Sequence, residues 1–212
     1  MPRLFSYVVD HDHGFAPCPF GGFCTLAKCK YGKSKRNIVE MVDEGDWIAG
    51  TGGANLCKSA GHGKLIYAMQ VDEIVPLELY CQAHCGDRID ADPEDDGDDR
   101  LALISHHFFY FGRNAIDISK IPRKHLDHPF EKSGPNYRCD FSEDFVEDFA
   151  KWLETNFKIG VHGPPCEPHS ELEIPKCSPK VPRKGCSCLE GTSYYCRSVK
   201  VAEYLSTPES ED

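Results

Sequence analysis

The segment from Tyr7 to Cys29 (YVVDHDHGFAPCPFGGFCTLAKC) constrains the fold most, because it joins an apolar strand to a loop of proline, glycine and phenylalanine. Leu4–Val9 is rich in β-branched and aromatic residues, which is typical of a buried strand. Proline and glycine restrict the backbone of the loop, while its aromatic rings are flat and apolar. The pattern predicts either a surface for a flat ligand or a lid packed on its own core. The ligand-binding candidates in this loop are Phe15, Pro17 and Phe20.

A cluster of alternating acids and histidines, Asp10-His11-Asp12-His13, directly follows the predicted strand. It is either a metal or general-base cluster or a solvated turn. Alternate side chains of an extended backbone point to opposite sides, so four ligands on one ion are not expected. We therefore prefer the solvated turn for His11 and His13. Asp12 abuts the turn at Gly14 and is a candidate catalytic acid or base.

Charge is distributed unevenly along the 212 residues, whose length fits one large domain or one domain with an appendage. The net charge is −10, and Asp87–Asp99 carries eight acidic side chains against Arg88 alone. We expect this tract to be a mobile surface loop. The rest of the chain is close to neutral, which excludes a broad surface for duplex DNA. The basic segment Lys28–Arg36 is either a phosphate-binding patch or a solvated turn.

A glycine-rich stretch follows a second predicted strand, Trp47–Ala49. Glycines after a strand let backbone N–H groups approach a ligand oxygen closely, so we expect a loop that binds phosphate. No helix follows at the spacing that a dinucleotide-binding fingerprint requires, and that fingerprint is rejected. Leu65–Val75 then alternates as one long strand that ends at Pro76. The candidates in the glycine-rich stretch are Gly50, Thr51 and Gly52.

A second aromatic surface is predicted after the strand Leu101–Ile104, where Ser105 precedes Phe108-Phe109-Tyr110-Phe111. Core packing accounts for at least half of these rings, because alternate strand residues point inward. Strands that run the same way end at one edge of a sheet. We therefore expect the aromatic loop, the glycine-rich stretch and this segment to form one pocket, with Ser105, Tyr110 and Phe111 as ligand-binding candidates.

Phe141–Phe157 is the clearest helix, since its apolar residues recur at three- and four-residue spacings and acidic residues occupy its first turn. Leu77–Cys85 reads as a shorter helical turn. From Gly160 onward, proline and cysteine dominate and apolar periodicity is lost, which indicates an extended appendage. The boundaries that follow are 1–165 for the domain and 166–212 for the Cys/Pro-rich extension.

The twelve cysteines are expected to be thiols or metal ligands rather than a disulfide framework, because no secretory signal or apolar span is evident and a cytoplasmic location follows. Cys24 is a candidate nucleophile if a neighbour lowers its pKa, and His106 is the candidate helper. Zinc is the cofactor that the cysteines suggest. The candidate ligands are Cys24, Cys29, Cys166, His169, Cys177, Cys186, Cys188 and Cys196.

Several segments, taken in order, resemble one family. They are Ser6–Val9 with Asp12, Gly14–Pro17 and Pro19-Phe20; Phe23–Ala27 with Cys29-Lys30; Gly45–Ile48 with Gly50–Gly52; Gly63–Met69; Leu103–Ser105 with Phe109–Gly112; and Trp152-Leu153 before Gly160. This pattern resembles the nucleotide-modification-associated domain family, second type, across about residues 3–165. Domains of this family occur in phage and bacterial gene neighbourhoods linked to hypermodified DNA bases. The resemblance implies a nucleotide or modified base as the partner.

The chain departs from that family at Cys18, where Asn is expected, and in its Cys/Pro-rich tail. The order of elements from Gly45 to Val75 is also similar to the small PUA-like and EVE-like barrels that read modified bases. The expected fold class is therefore α+β, with a small mixed or antiparallel barrel or a curled sheet, a packed C-terminal helix and an irregular tail.

Two functions remain open from the sequence. In the first, the protein is directed at a nucleotide or modified base, as a reader or as an enzyme, with the aromatic loop stacking on the base and the glycine-rich stretch holding phosphate. In the second, it is a zinc-stapled interaction module without catalysis.

Overall fold

The structure is a computed structural model that describes residues 1–27, 37–91, 100–132 and 136–167. These residues form a seven-stranded sheet, a three-stranded sheet and a few helices. The strands are β1 (Leu4–Val9), β2 (Cys24–Leu26), β3 (Trp47–Gly52), β4 (Lys64–Gln70), β5 (Glu73–Pro76), β6 (Leu101–Ser105), β7 (His107–Tyr110), β8 (Ile116–Asp117), β9 (Tyr137–Arg138) and β10 (Gly160–Val161). The α-helices are α1 (Ile38–Met41), α2 (Leu77–His84) and α3 (Glu143–Asn156), and Gly112–Asn114 and Ile118–Lys120 are 3-10 turns.

The larger sheet is mixed, with the strand order β10-β7-β4-β3-β1-β9 and β8 added beside β4. β1 is parallel to β3, and β4 lies antiparallel to both β3 and β7. The strands β1, β3 and β7 therefore run in the same direction and end at the same edge. β10 and β9 do not pair in the described part of the chain, so the sheet is open. The predicted α+β class is confirmed, and the curled sheet fits where the closed barrel does not.

The larger sheet has an apolar core on each face. One face buries Phe5, Tyr7 and Ile48 with residues of β4, β6 and α1. The other face packs against α3 through Phe145, Phe149 and the rest of an apolar stripe. This is the helix that the sequence predicts over Phe141–Phe157. Ser142 caps it by accepting a hydrogen bond from the N–H of Phe145.

The predicted long strand Leu65–Val75 is two strands in two sheets, which corrects the sequence prediction. The N–H of Val71 donates to the carbonyl of Asp46, whereas the N–H of Asp72 donates to the carbonyl of Ile104. The chain thus changes partner between these two residues. β4 stays in the larger sheet, and β5 joins β2 and β6 in the smaller one. Apolar alternation continues through the change because both segments are strands.

Part of the acidic tract is packed into the protein, and the expected mobile surface loop is wrong for Arg88–Ala91. The side chains of Arg88 and Asp90 are 3% and 0% exposed, and they form an ion pair with Nε–Oδ1 at 3.1 Å. The phenol of Tyr80 on α2 also donates to Asp90 at 2.8 Å. Buried charges are stable only when paired and hydrogen-bonded, and here both conditions are met. The remaining residues of the tract, 92–99, lie outside the described residues.

Other sequence predictions fall partly or wholly outside the described ranges. The basic segment 28–36 and the tail after Glu167 are not described, so the domain boundaries 1–165 and 166–212 stay predictions. Cys85 forms a disulfide, which contradicts the expectation that all cysteines are thiols or metal ligands. None of the described helices combines the length and the apolar character that a membrane span requires.

Candidate functional site

The edge at which β1, β3 and β7 end is organised around the carboxylate of Asp12, which is 1% exposed. Its Oδ1 accepts a hydrogen bond from the hydroxyl of Tyr110 at 2.5 Å. Its Oδ2 accepts one from the backbone N–H of Cys166 at 3.0 Å. The chain after β1 and the end of β7 thus meet at this edge through the contact between Asp12 and Tyr110.

The backbone of Asp12 also ties two distant segments to this edge. Its N–H donates to the carbonyl of Lys58 at 2.8 Å, and its carbonyl accepts from the N–H of Glu167 at 3.0 Å. The thiol of Cys166 lies against the same carboxylate. Burial, followed by the negative charge of Asp12, raises the pKa of Cys166 to about 12. Asp12 therefore fastens the segment Cys166-Glu167 over the end of β1.

His11 and His13 lie on the outer side of this junction, next to Glu167. Nδ1 of His13 is 3.3 Å from Oε2 of Glu167, and Nδ1 of His11 is 3.7 Å from the same oxygen. Nζ of Lys58 is 3.6 Å from the other oxygen, Oε1. The alternation of the sequence is kept, because both histidines lie outside and Asp12 lies inside. The two histidines therefore lie on the outside, as the predicted solvated turn requires, but they also contact Glu167.

The sequence contains no local signal for this cluster, because Glu167 is more than 150 residues from the histidines and lies at the start of the predicted Cys/Pro-rich extension. Only the strand-end position of Asp10–His13 indicates a site, since functional side chains gather where strands of a sheet end. His11, His13, Lys58 and Glu167 form what we call the strand-end cluster.

Gly50, Thr51 and Gly52 are not a phosphate-binding loop, which corrects the prediction from the sequence. They lie in β3 and are fully buried, with β1 paired on one side and β4 on the other. The N–H of Gly53 is also used, by Val9 and by the hydroxyl of Ser59 at 2.8 Å. A Cβ at Gly52 would lie 2.1 Å from the carbonyl oxygen of Gly61. The glycines serve close chain packing, not ligand contact.

The two aromatic segments differ in exposure. Tyr110 and Phe111 are 0% and 1% exposed, so neither ring offers a face to a ligand. Ser105 is also buried, and its hydroxyl donates to the carbonyl of His107. The second aromatic surface is thus core, contrary to its predicted role. In the first loop Pro17 is buried, whereas Phe15 and Phe20 are partly exposed.

Cys24 does not have the environment of a nucleophile. It is 0% exposed in β2, and burial raises the pKa of its thiol well above the ordinary value. Its paired residue in β6 is Ser105, and the following residue, His106, is exposed and lies 3.3 Å (Nδ1) from Oδ2 of Asp72. A thiolate at Cys24 activated by His106 is therefore not supported.

The predicted zinc ligands are only partly described. Cys24 and Cys166 are free thiols, and neither belongs to the group of potential metal ligands that the described residues bring together. That group is His11, His13 and Glu167. The remaining candidates, Cys29, His169, Cys177, Cys186, Cys188 and Cys196, lie outside the described residues, so the zinc-stapled module stays a hypothesis.

A surface cavity of about 400 Å³ lies at the opposite edge of the larger sheet. It is bordered by Trp47 at the start of β3, Gln70 at the end of β4 and the acidic side chains Glu143, Glu147 and Glu154 of α3. Its negative charge disfavours a phosphate-bearing ligand. The strand-end cluster is therefore the better candidate for a nucleotide-directed site.

Comparison with known families agrees with the resemblance in the sequence. The family described as nucleotide modification associated domain 2 matches residues 1–91 and 86–172. The chain belongs to this family. No curated protein and no solved structure matches at a significant level. Membership in the nucleotide modification associated domain 2 family connects the chain with nucleotide modification.

Proposed function

We propose that the protein binds a nucleotide or a modified base of nucleic acid at the edge where β1, β3 and β7 end. The observation that supports this most directly is the strand-end cluster, where imidazoles and an ammonium group lie beside the partly exposed loop of Phe15 and Phe20 in a member of a nucleotide-modification family. The aromatic loop keeps its predicted role of stacking on the base. The strand-end cluster takes the place of the glycine-rich stretch as the proposed phosphate contact.

The proposed division of labour follows from exposure and charge. Partly exposed aromatic rings can stack on a base, a contact that tolerates any base because every base has a π-face. Phe15 and Phe20 are such rings, whereas Tyr110 and Phe111 are buried in the core and offer no face to a base. The phosphate lies beside Lys58 and the two histidines, since these side chains donate hydrogen bonds to anionic oxygens.

Binding, rather than catalysis, is the function that the geometry supports best. Cys24 is buried with a raised pKa, and both oxygens of Asp12 already accept hydrogen bonds from Tyr110 and Cys166. In an enzymatic version Asp12 is the acid or base, and it has to exchange one of these bonds for a bond to the substrate. A reader of modified bases needs no such change.

Titration of the full-length protein with 2′-deoxynucleoside monophosphates, carrying unmodified and 5-substituted pyrimidines, tests the proposal. Phe15→Ala should weaken binding by about 1–3 kcal/mol, which is the typical loss of one stacking contact. Lys58→Ala should weaken binding of nucleotides but not of the corresponding nucleosides, because only nucleotides carry the phosphate.

The matched control is Ile159→Ala, which removes an apolar side chain that is 58% exposed. Ile159 directly precedes β10, the strand that pairs in parallel with β7. This control should bind nucleotides with the affinity of the wild type. All three variants should melt within a few degrees of the wild-type melting temperature. Equal affinities for Phe15→Ala, Lys58→Ala and Ile159→Ala would contradict the proposal, as would a complete lack of nucleotide binding by the wild type.

A further inference from the structure

Two imidazoles and one carboxylate of the strand-end cluster are spaced as metal ligands are. One ligand atom from each of His11, His13 and Glu167 can be chosen so that all three lie within 4.8 Å of one another. Nδ1 of His11 is 3.7 Å from Oε2 of Glu167, and Nδ1 of His13 is 3.3 Å from the same oxygen. Metal–ligand bonds of about 2.0–2.2 Å separate neighbouring ligand atoms by roughly 3.0–3.6 Å. The three side chains therefore need little movement to surround one ion.

A second observation at the same place is the state of the Glu167 carboxylate. Oε2 of Glu167 is buried, yet within the described ranges no donor reaches it with hydrogen-bonding geometry. A buried acceptor without a hydrogen bond costs free energy, and a carboxylate costs more than a neutral group. A cation between this oxygen and the two imidazole nitrogens removes that cost. We propose that His11, His13 and Glu167 bind one divalent first-row transition-metal ion.

The cluster is held in place from inside by Asp12. The N–H of Glu167 donates to the carbonyl of Asp12, which is the residue between the two histidines. The carboxylate of Asp12 also binds the N–H of Cys166, so the two-residue segment is fixed at two points. Ligands whose backbone is fixed in this way lose little entropy when an ion binds. Asp12 acts here as a positioning residue.

The nature of the ligands selects the class of ion. Imidazole nitrogen suits zinc, iron, nickel and copper, whereas calcium and magnesium prefer sites made of oxygen. Two histidines and one carboxylate leave at least one coordination position open, which is the arrangement of sites that bind a further ligand or water. The carbonyl oxygen of Glu167, 3.3 Å from Nδ1 of His13, lies close enough to add a fourth protein ligand.

An ion-pair network without metal is the competing interpretation. In that case His11, His13 and Lys58 only make polar contacts with the carboxylate of Glu167. Exposed pairs of this kind are worth little, and the protein has several others, such as His62 with Glu131 at 2.8 Å. His62 provides one imidazole beside one carboxylate but lacks the second imidazole. It is therefore the matched control for the experiment.

Metal binding is measured on the full-length chain with Zn²⁺ and Co²⁺ alone as probes and without nucleotide, so the result does not depend on the proposed function. Cys177, Cys186, Cys188 and Cys196 are changed to Ser in every protein to remove thiol sites of the tail. The parent protein should bind one Co²⁺ with visible d–d absorption and without thiolate-to-metal charge transfer. His11→Ala, His13→Ala and Glu167→Gln should each weaken Zn²⁺ binding by at least about 10- to 100-fold, because even supporting residues of a metal site contribute that much.

The control His62→Ala should bind Zn²⁺ and Co²⁺ as the parent does. His11 is half-exposed, with 50% of its side chain accessible, so His11→Ala keeps the fold even if another variant does not. Equal Zn²⁺ affinity of His11→Ala, His62→Ala and the parent overturns the proposal. A Co²⁺ spectrum dominated by thiolate charge transfer also overturns it, because the ion then sits on cysteines.

Discussion

The hydroxyl of Tyr110, at the end of β7, donates a hydrogen bond of 2.5 Å to Oδ1 of Asp12, three residues beyond β1. Both side chains are almost fully buried. Burial raises the pKa of Tyr110 well above its ordinary value, and the negative charge of Asp12 raises it further. The phenol therefore keeps its proton and donates it to Oδ1, while the N–H of Cys166 donates to Oδ2 of the same carboxylate.

Tyr110→Phe should lower the free energy of unfolding by about 1–3 kcal/mol, because it leaves a buried carboxylate oxygen without its donor. Urea denaturation measures this difference. Tyr137→Phe, which removes the hydroxyl of a half-buried ring beside Phe5, is the control and should change stability by less than about 0.5 kcal/mol. A Tyr110→Phe protein as stable as Tyr137→Phe would show that the bond to Asp12 adds nothing.

Cys166 should react slowly with iodoacetamide. With a pKa of about 12, its thiol is almost entirely protonated at pH 9, and only the thiolate is nucleophilic. Alkylation followed by peptide mass spectrometry should show Cys166 reacting roughly tenfold or more slowly than the exposed Cys57. Asp12→Asn should raise the rate at Cys166, because the charge that opposes the thiolate is removed. An unchanged rate in that variant would contradict the assigned cause.

The same raised pKa affects stability. The unfolded chain loses the proton of Cys166 near pH 8.5, whereas the folded chain keeps it until about pH 12. The folded state therefore binds more protons in this interval, and its stability should fall as the pH rises from about 9 to 12. Cys166→Ser should weaken that dependence, since serine does not titrate in this range.

The helix α3 could be predicted from sequence because its signals are local. Apolar spacing, a capping serine and acidic first-turn residues all lie within Phe141–Phe157 and specify one amphipathic helix. Likewise, buried strands followed by polar clusters indicate where strands end. The meeting of Asp12 and Tyr110 is not a local signal, because Tyr110 ends β7 of the larger sheet, whereas the predicted strand before it, Leu101–Ile104, is β6 of the smaller sheet.

The cluster of His11, His13 and Glu167 could not be predicted, because it depends on a contact across most of the chain. Nor does composition reveal that Arg88 and Asp90 are core residues, since an acidic tract normally indicates solvent exposure. The predicted loop at the glycines of β3 is wrong for a similar reason. Glycine signals either a turn or a close approach of two chains, and sequence alone does not distinguish them.

Gly52→Ala should destabilise the protein rather than affect a ligand selectively. The added Cβ would lie 2.1 Å from the carbonyl oxygen of Gly61, which is backbone and has little room to move. Overpacking of this kind typically costs about 1–3 kcal/mol or more. Thermal unfolding should therefore shift downward. If Gly52→Ala instead kept its stability and lost only nucleotide binding, the original prediction that Gly50–Gly52 binds phosphate would be correct.

The strongest single effect on stability is expected at Arg88, whose guanidinium fastens the aromatic loop to the smaller sheet. Nη2 donates to the carbonyl of Cys18 and to the hydroxyl of Thr25, each at 2.9 Å. Nη1 donates to the carbonyl of Phe20, and the guanidinium carbon lies 4.0 Å from the ring centre of Phe23. The side chain of Arg88 therefore contacts the aromatic loop on both sides of Gly21-Gly22.

Arg88→Met should cost about 3–5 kcal/mol, because it leaves Asp90 as a buried charge without its partner. Arg123→Met, at an exposed arginine, is the control and should change stability by less than about 0.5 kcal/mol. Arg88→Lys should rescue little, since one ammonium group cannot replace a planar fork that reaches several acceptors. The double variant Arg88→Met/Asp90→Asn should be more stable than Arg88→Met alone, because the unpaired charge is gone. If the double variant is instead less stable by the sum of the two single losses, the two residues do not interact, and the loop is fixed by its carbonyl contacts alone.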